Sequence, residues 1–361
     1  MEKFKFFKGD PLVRLLIDRL HLSPGAFALV WTLVVFGIGF FASLASGTLI
    51  STPEQVGFLQ DIYGWIWNLG ITPLLAGYYL WGANAIAGLL QDLQKSEVVQ
   101  ISDEEISGLV RTYQQPWRTF LSLGIALVVG ILFFTAREDV QGYERATDLA
   151  RYGITLTFMV GTYTVSMLVF NLVTNIWALR RILRDKEFHV NPLHPDRCGG
   201  LKALSQYSLK IAYLVAGFGF VIGLSEYRYI TQGMAQEYWI MHLGIPVYLV
   251  IATASFFAPL NAAHDGMKEA KKKLLENIAR QFWNDYSLAQ NGLSKDADSI
   301  QADVSKIQQL QTLYEMTEKF PVWPFDVNTL QRFIASVTSP IIAILLGWLS
   351  DFIQSLIFPP S

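Results

Sequence analysis

Apolar positions gather into seven long runs with polar stretches between them. The runs cover about 25–49, 62–90, 117–136, 152–179, 208–224, 238–260 and 333–358, close to the ~20 residues that cross a bilayer as a helix. The pattern predicts an all-α polytopic membrane protein with seven transmembrane helices. A different periodicity sets in after 260. Met267, Leu274, Ile278, Phe282 and Tyr286 recur at helical spacing, as do Ile300, Val304, Ile307, Leu310 and Tyr314, among abundant charges. Such spacing marks amphipathic helices, and Asn291-Gly292 through Asp298 supplies a turn between them. The result is a helical hairpin before the last span. Four segments follow: 1–23, an interfacial helix; 24–260, a six-span region; 261–326, the helical arm; and 327–361, the seventh span and its tail.

Local signals punctuate these runs. Asp10-Pro11 is an N-cap followed by proline at the first helical position, and it opens a short amphipathic helix suited to the inner interface. Ser102 and Glu105 form a capping box for a short helix that ends before Pro116. Gly39, Ser43 and Gly47, and again Gly219 and Gly223, have the four-residue spacing of small residues at close helix contacts.

Composition supports the membrane class, with 52% hydrophobic and 16% charged residues. The long apolar run from 25 exceeds the core of a signal peptide, so no cleavable leader is expected. Charge distribution sets the orientation. With the N-terminus inside, inner segments hold 24 of the 28 Lys and Arg, leaving only Arg137, Arg145, Arg151 and Arg228 outside. The positive-inside rule therefore predicts N-inside and C-outside, with the arm cytoplasmic. The expected location is the cell membrane, the inner membrane for a bacterial source. Lipid is the surrounding partner, and no nucleic-acid partner is expected.

The central parts of the spans contain no Asp, Glu, Lys or Arg, which disfavours ion-coupled transport and voltage sensing. Neutral polar positions remain. On the last span Ser336, Ser339, Ala343, Gly347, Ser350 and Gln354 form a small or polar stripe that could line a pore or pack helices tightly. Thr157, Gly161, Thr164, Asn171 and Asn175 make a comparable stripe on the fourth span. An acidic bias in the outer loops favours cations, and is equally the complement of the positive-inside bias.

The loop 189–200 is the most motif-like stretch. His189, His194, Asp196 and Cys198, with His264 on the same side, include the ligand types of zinc and other transition metals. They also include the parts of a hydrolytic site. No pair has standard zinc spacing, and no resident cofactor is expected. The plainer reading is a turn in which Asp196 caps the next helix and Gly199 and Gly200 allow close approach. Near the arm's end, Pro321, Pro324 and Asp326 either stop one helix and cap the next or form a hinge that couples the arm to the last span. An enzymatic role is the weaker expectation.

The segments His-Pro-Asp-x-x-Gly-Gly-Leu (194–201) and Trp-Pro-Phe-Asp (323–326) resemble stretches of uncharacterised bacterial multi-pass membrane proteins, a resemblance that implies no activity. The plan of seven spans, N-inside, with a cytoplasmic helical bundle before the last span, resembles insect odorant and gustatory receptor channels. That resemblance implies tetrameric assembly through the arm and a central pore lined by the last span; it carries over no site residue. The expected function is an oligomeric channel or ligand-gated ion pore with the last span lining the pathway, assembled as a homo-oligomer through the arm and last span, with small ions, cations favoured, or a small-molecule ligand as partners. The alternatives are a scaffold or signalling subunit whose arm binds a soluble partner, and a metal-dependent membrane enzyme.

Overall fold

The computed structural model describes residues 6–52, 57–135, 148–184, 186–191, 194–231, 242–291 and 297–357. Among them the chain is helical and contains no strand. Five helices are long and apolar enough to cross a membrane: Pro24–Ala45, Asp103–Thr135, Arg151–Leu183, Lys202–Leu224 and Gly244–Gln290. The expected second span, α4 (Thr72–Lys95), and the expected last span, α11 (Val327–Ile357), are not among the five. In α4 the apolar run is diluted by Tyr78, Tyr79, Asn84 and Gln91. It continues from Ile62–Ile66 (α3) through a π turn at Trp67–Ile71, next to Pro73, which supplies no N–H.

The N-terminal segment packs in part against the bundle. Asp10 caps the single turn Pro11–Arg14 (α1), and a π turn continues it to Arg19. Val13 and Leu16 are buried in a cluster with Phe27 of α2 (Pro24–Ala45), Tyr79 and Leu80 of α4, and Tyr163 and Met167 of α7 (Asp148–Leu183). Val13 and Leu16 of the expected apolar face thus lie against protein, while Leu20 on the same face is 54% exposed.

The Ser102–Glu105 capping box is present, with reciprocal side-chain to backbone bonds opening α5 (Asp103–Tyr113). α6 (Trp117–Thr135) then packs along α7. α8 (Lys202–Thr231) is central: half of its apolar window is buried, against 22% to 28% in the other four spanning candidates. It contacts α4, α11 and α9 (Gly244–Asn291). Gly219 makes the α8–α9 contact close, since a Cβ there would lie 2.4 Å from the Tyr248 ring. The small residue of the other expected motif, Gly39, receives the Phe58 ring rather than a helix.

The arm follows the expected plan. α9 runs unbroken through Pro259 for 48 residues, and α10 (Ala297–Glu318) folds back on it. The turn between them lies outside the described residues. Most expected seam positions are covered: Met267 is buried, and Leu274, Ile278, Phe282, Ile300, Ile307 and Leu310 are half-buried, whereas Tyr286, Val304 and Tyr314 are exposed and Thr317 is buried.

Candidate functional site

The two motif-like stretches come together below α8. The first is organised by one carboxylate. Asp196 Oδ1 accepts from the Cys198 N–H at 2.8 Å, and its carboxylate also accepts from the N–H groups of Gly200 and Lys202. The bond from Lys202, the first residue of α8, is the expected helix cap. Burial pushes this carboxyl up, but the bonds from Cys198, Gly200, His194 and Lys202 outweigh that and hold it below the ordinary carboxylate range. The turn needs its glycines. Gly199 and Gly200 have φ of +66° and +92°, and a Cβ on Gly200 would meet Val98 Cγ2 at 2.4 Å.

His194 Nδ1 lies 2.7 Å from Asp196 Oδ1. Cys198 is fully buried, and burial, with Asp196 and Asp326 nearby, pushes its thiol up to about 12. A thiol held protonated is a poor nucleophile and a poor metal ligand. His189 is exposed, and its backbone N–H donates to the Val98 carbonyl. His264 belongs to the second stretch: its ring bonds the Val322 carbonyl at 2.9 Å and stacks on Trp323. Among the described residues no group of three or more His, Cys, Asp or Glu is placed to hold a metal ion. Of these five residues, His194, Asp196, Cys198 and His264 make turn, core or corner contacts, while the His189 side chain is exposed.

The second stretch is a packed corner. Lys271 of α9 donates to the Glu318 and Phe320 carbonyls at 2.6 and 2.9 Å, which terminates α10. Phe320 is buried against the loop, where a Cβ on Gly199 would lie 2.7 Å from its ring. Trp323 and Phe325 pack with Phe256, Phe257 and Phe333. Pro321 is exposed and Pro324 is buried. Asp326 accepts from the Thr329 N–H at 2.8 Å and caps α11, and bonds from Thr329 hold its carboxyl below the ordinary range. Asp326 also lies 3.9 Å from Lys202, so loop and corner share a charge contact. Between them opens a cleft of about 380 Å³, lined by His194, Pro195, Arg197, Met316, Lys319, Phe320 and Pro321.

Of the stripe on α11, Ser336 and Ser339 are half-buried. Their hydroxyls donate to the Phe333 and Ser336 carbonyls of the same helix. Pro340 has no N–H to offer the Ser336 carbonyl, and the Ser339 hydroxyl takes that place. The side chains of Ala343, Gly347, Ser350 and Gln354 lie outside the described residues.

Two polar features had no sequence signal beyond a lone residue. Asp10, already an N-cap, also accepts from the hydroxyls of Tyr79 at 2.7 Å and Tyr163 at 2.9 Å. Arg118, at the start of α6, is buried, bonded to Thr174 and placed over the Tyr113 ring. The cleft residues Arg197 and Lys319 were equally invisible, because the loop and the arm are far apart in sequence.

These features define an all-helical chain with several helices apolar enough to be membrane-embedded. No known protein family, curated protein or solved structure matches it.

Proposed function

We propose that this is a seven-span integral membrane protein of the cell membrane, N-terminus inside and C-terminus outside. It assembles into a homo-oligomer and conducts small ions, preferably cations, along a pathway lined by α11. The observation that carries this reading is the position of α11 at the rim of the bundle. It packs chiefly on α8; its exposed face is the apolar one of Ile334, Ile342, Leu345 and Leu349, opposite the polar stripe, whose Ser336 and Ser339 are half-buried. A helix that lines a pathway on a symmetry axis has to be peripheral in each subunit. The arm adds a surface suited to assembly, since Trp283 and Leu288 of α9 are 67% and 64% exposed beside Tyr286.

Native mass spectrometry from nanodiscs, followed by planar-bilayer recording, tests the reading. A defined oligomer whose conductance is blocked by Gly347→Leu or Ser350→Leu, with assembly intact, supports it. A monomer, or conductance unchanged in both variants, refutes it. The arm's exposed aromatic face also suits a second reading, a scaffold that docks a soluble partner. In that case deleting 264–319 abolishes partner capture while the spans still insert.

A further inference from the structure

We infer that the cleft between the 194–201 loop and the end of α10 binds a phosphate group, carried by an anionic lipid at the inner membrane surface. His194, Arg197 and Lys319 line it, and no acidic residue does. Asp196 accepts from the backbone N–H groups of Cys198, Gly200 and Lys202 and lies 2.7 Å from His194 Nδ1, and Asp326 caps α11, so the open cations of the cleft are Arg197 and Lys319. Among the described residues neither Arg197 nor Lys319 forms an ion pair.

The carboxyl end of α10 would ordinarily place partial negative charge beside this cleft. Lys271 covers it by bonding the Glu318 and Phe320 carbonyls, so Lys319 is left to face the opening. Phosphate is the matching anion: guanidinium and ammonium groups bind it through charge-assisted hydrogen bonds. The remaining wall is apolar, made of Pro195, Met316, Phe320 and Pro321. An amphiphilic phosphate ester satisfies both surfaces, where inorganic phosphate satisfies only one.

The position fits a headgroup. The cleft lies six residues before α11 at Pro321 and five residues before α8 at Arg197, both helices that the proposed topology carries into the bilayer. The volume is within the ~300–1,000 Å³ typical of small-ligand sites. The inference rests on the membrane reading for this depth alone, and it requires neither a pore nor an oligomer.

The test is binding to the full-length protein in mild detergent. The probes are short-chain phosphatidic acid, the same-length phosphatidylcholine, glycerol 3-phosphate and inorganic phosphate. The variants are Arg197→Gln/Lys319→Gln and, as a control, Lys306→Gln, thirteen residues and about 20 Å back along α10. Both cleft cations are exposed, so the double variant should keep the melting temperature of the parent. The expected result is preference for phosphatidic acid, weakened roughly thirtyfold in the double variant at about 1 kcal/mol per surface cation and unchanged in Lys306→Gln. Glycerol 3-phosphate binding equally tightly, with the same loss in the double variant, keeps the phosphate site but assigns it to a soluble ester and overturns the lipid source. Binding that is insensitive to the double variant, or equally reduced by Lys306→Gln, overturns the site. Conductance is not read at any stage, so the pore proposal can fail while this inference stands.

Discussion

His264 lies flat on Trp323, with ring centroids 4.0 Å apart and planes 15° from parallel. Its Nδ1–H donates to the carbonyl of Val322, the residue just before that tryptophan. The long helix α9 is thereby fastened to the corner that leads into α11. Two separable effects hold the contact, stacking and one hydrogen bond. His264→Phe keeps the first and loses the second, at a cost of about 1 kcal/mol. Trp323→Ala removes the ring that also packs on Phe257 and Phe325, and should cost about 3 kcal/mol. Thermal melts of the two variants in one detergent give the ranking. If His264→Phe is the more destabilising, the imidazole has a role beyond this corner, and the metal reading returns.

The turn built on Asp196 predicts a pH signature. Its carboxyl is held below the ordinary value of 3.8 by the N–H groups it accepts from. A depressed acid contributes stability above its unfolded-state value and loses it as pH falls through the folded-state value. Asp196→Ala leaves three backbone N–H groups without their acceptor and should cost about 1–3 kcal/mol near neutrality. The gap between variant and parent melting temperatures should narrow only below about pH 4. A gap that closes at higher pH would mean that another group governs the loop.

Gly266 marks a place where α9 tolerates no side chain. A Cβ there would come within 2.1 Å of the ring of Phe188, which is itself only 8% exposed. Gly266→Ala should therefore destabilise by about 1–3 kcal/mol, the usual cost of overpacking. Phe188→Ala removes the obstacle, so the double variant should be less damaged than the sum of the two single variants. Strict additivity would show that the two positions do not meet.

Much of the fold could be read before any coordinates. Caps and breaks are local, and Asp10, Ser102 with Glu105, Asp196 and Asp326 all act where their neighbours in sequence place them. The continuation of the sixth apolar run into the arm was likewise legible, because its charged face keeps helical spacing. What stayed hidden depends on partners distant in sequence. Spacing puts Ile300, Ile307 and Leu310 on the α10 seam correctly, but it also puts Val304 and Tyr314 there, which are exposed, and it misses Thr317, which is buried. Gly39 looks like a helix-packing residue but serves the ring of Phe58 from a following loop. The cleft requires residues 194–197 and 316–321 to meet, and no pattern within either segment carries that information.

Asp10 offers the sharpest test of the N-terminal docking. It is 5% exposed, and its carboxylate takes hydroxyl protons from Tyr79 and Tyr163, which ties the N-terminal turn to α4 and α7. Burial raises its pKa above the ordinary 3.8, only partly offset by those hydroxyls and by the N–H groups of Val13 and Leu12. For an acid raised in the folded state the sign is opposite to that at Asp196. Its contribution is fully present below the unfolded-state value and is lost as pH rises through the folded-state value. Asp10→Asn keeps an N-cap of equal quality and cannot ionise. The parent's melting temperature relative to this variant should therefore be highest at acid pH, decline as pH rises above 3.8, and then level off. A difference that stays flat across that range would place the charge in water, with the N-terminal segment undocked. A difference that grows with pH would mean that the carboxylate gains more from the two hydroxyls than it loses by burial.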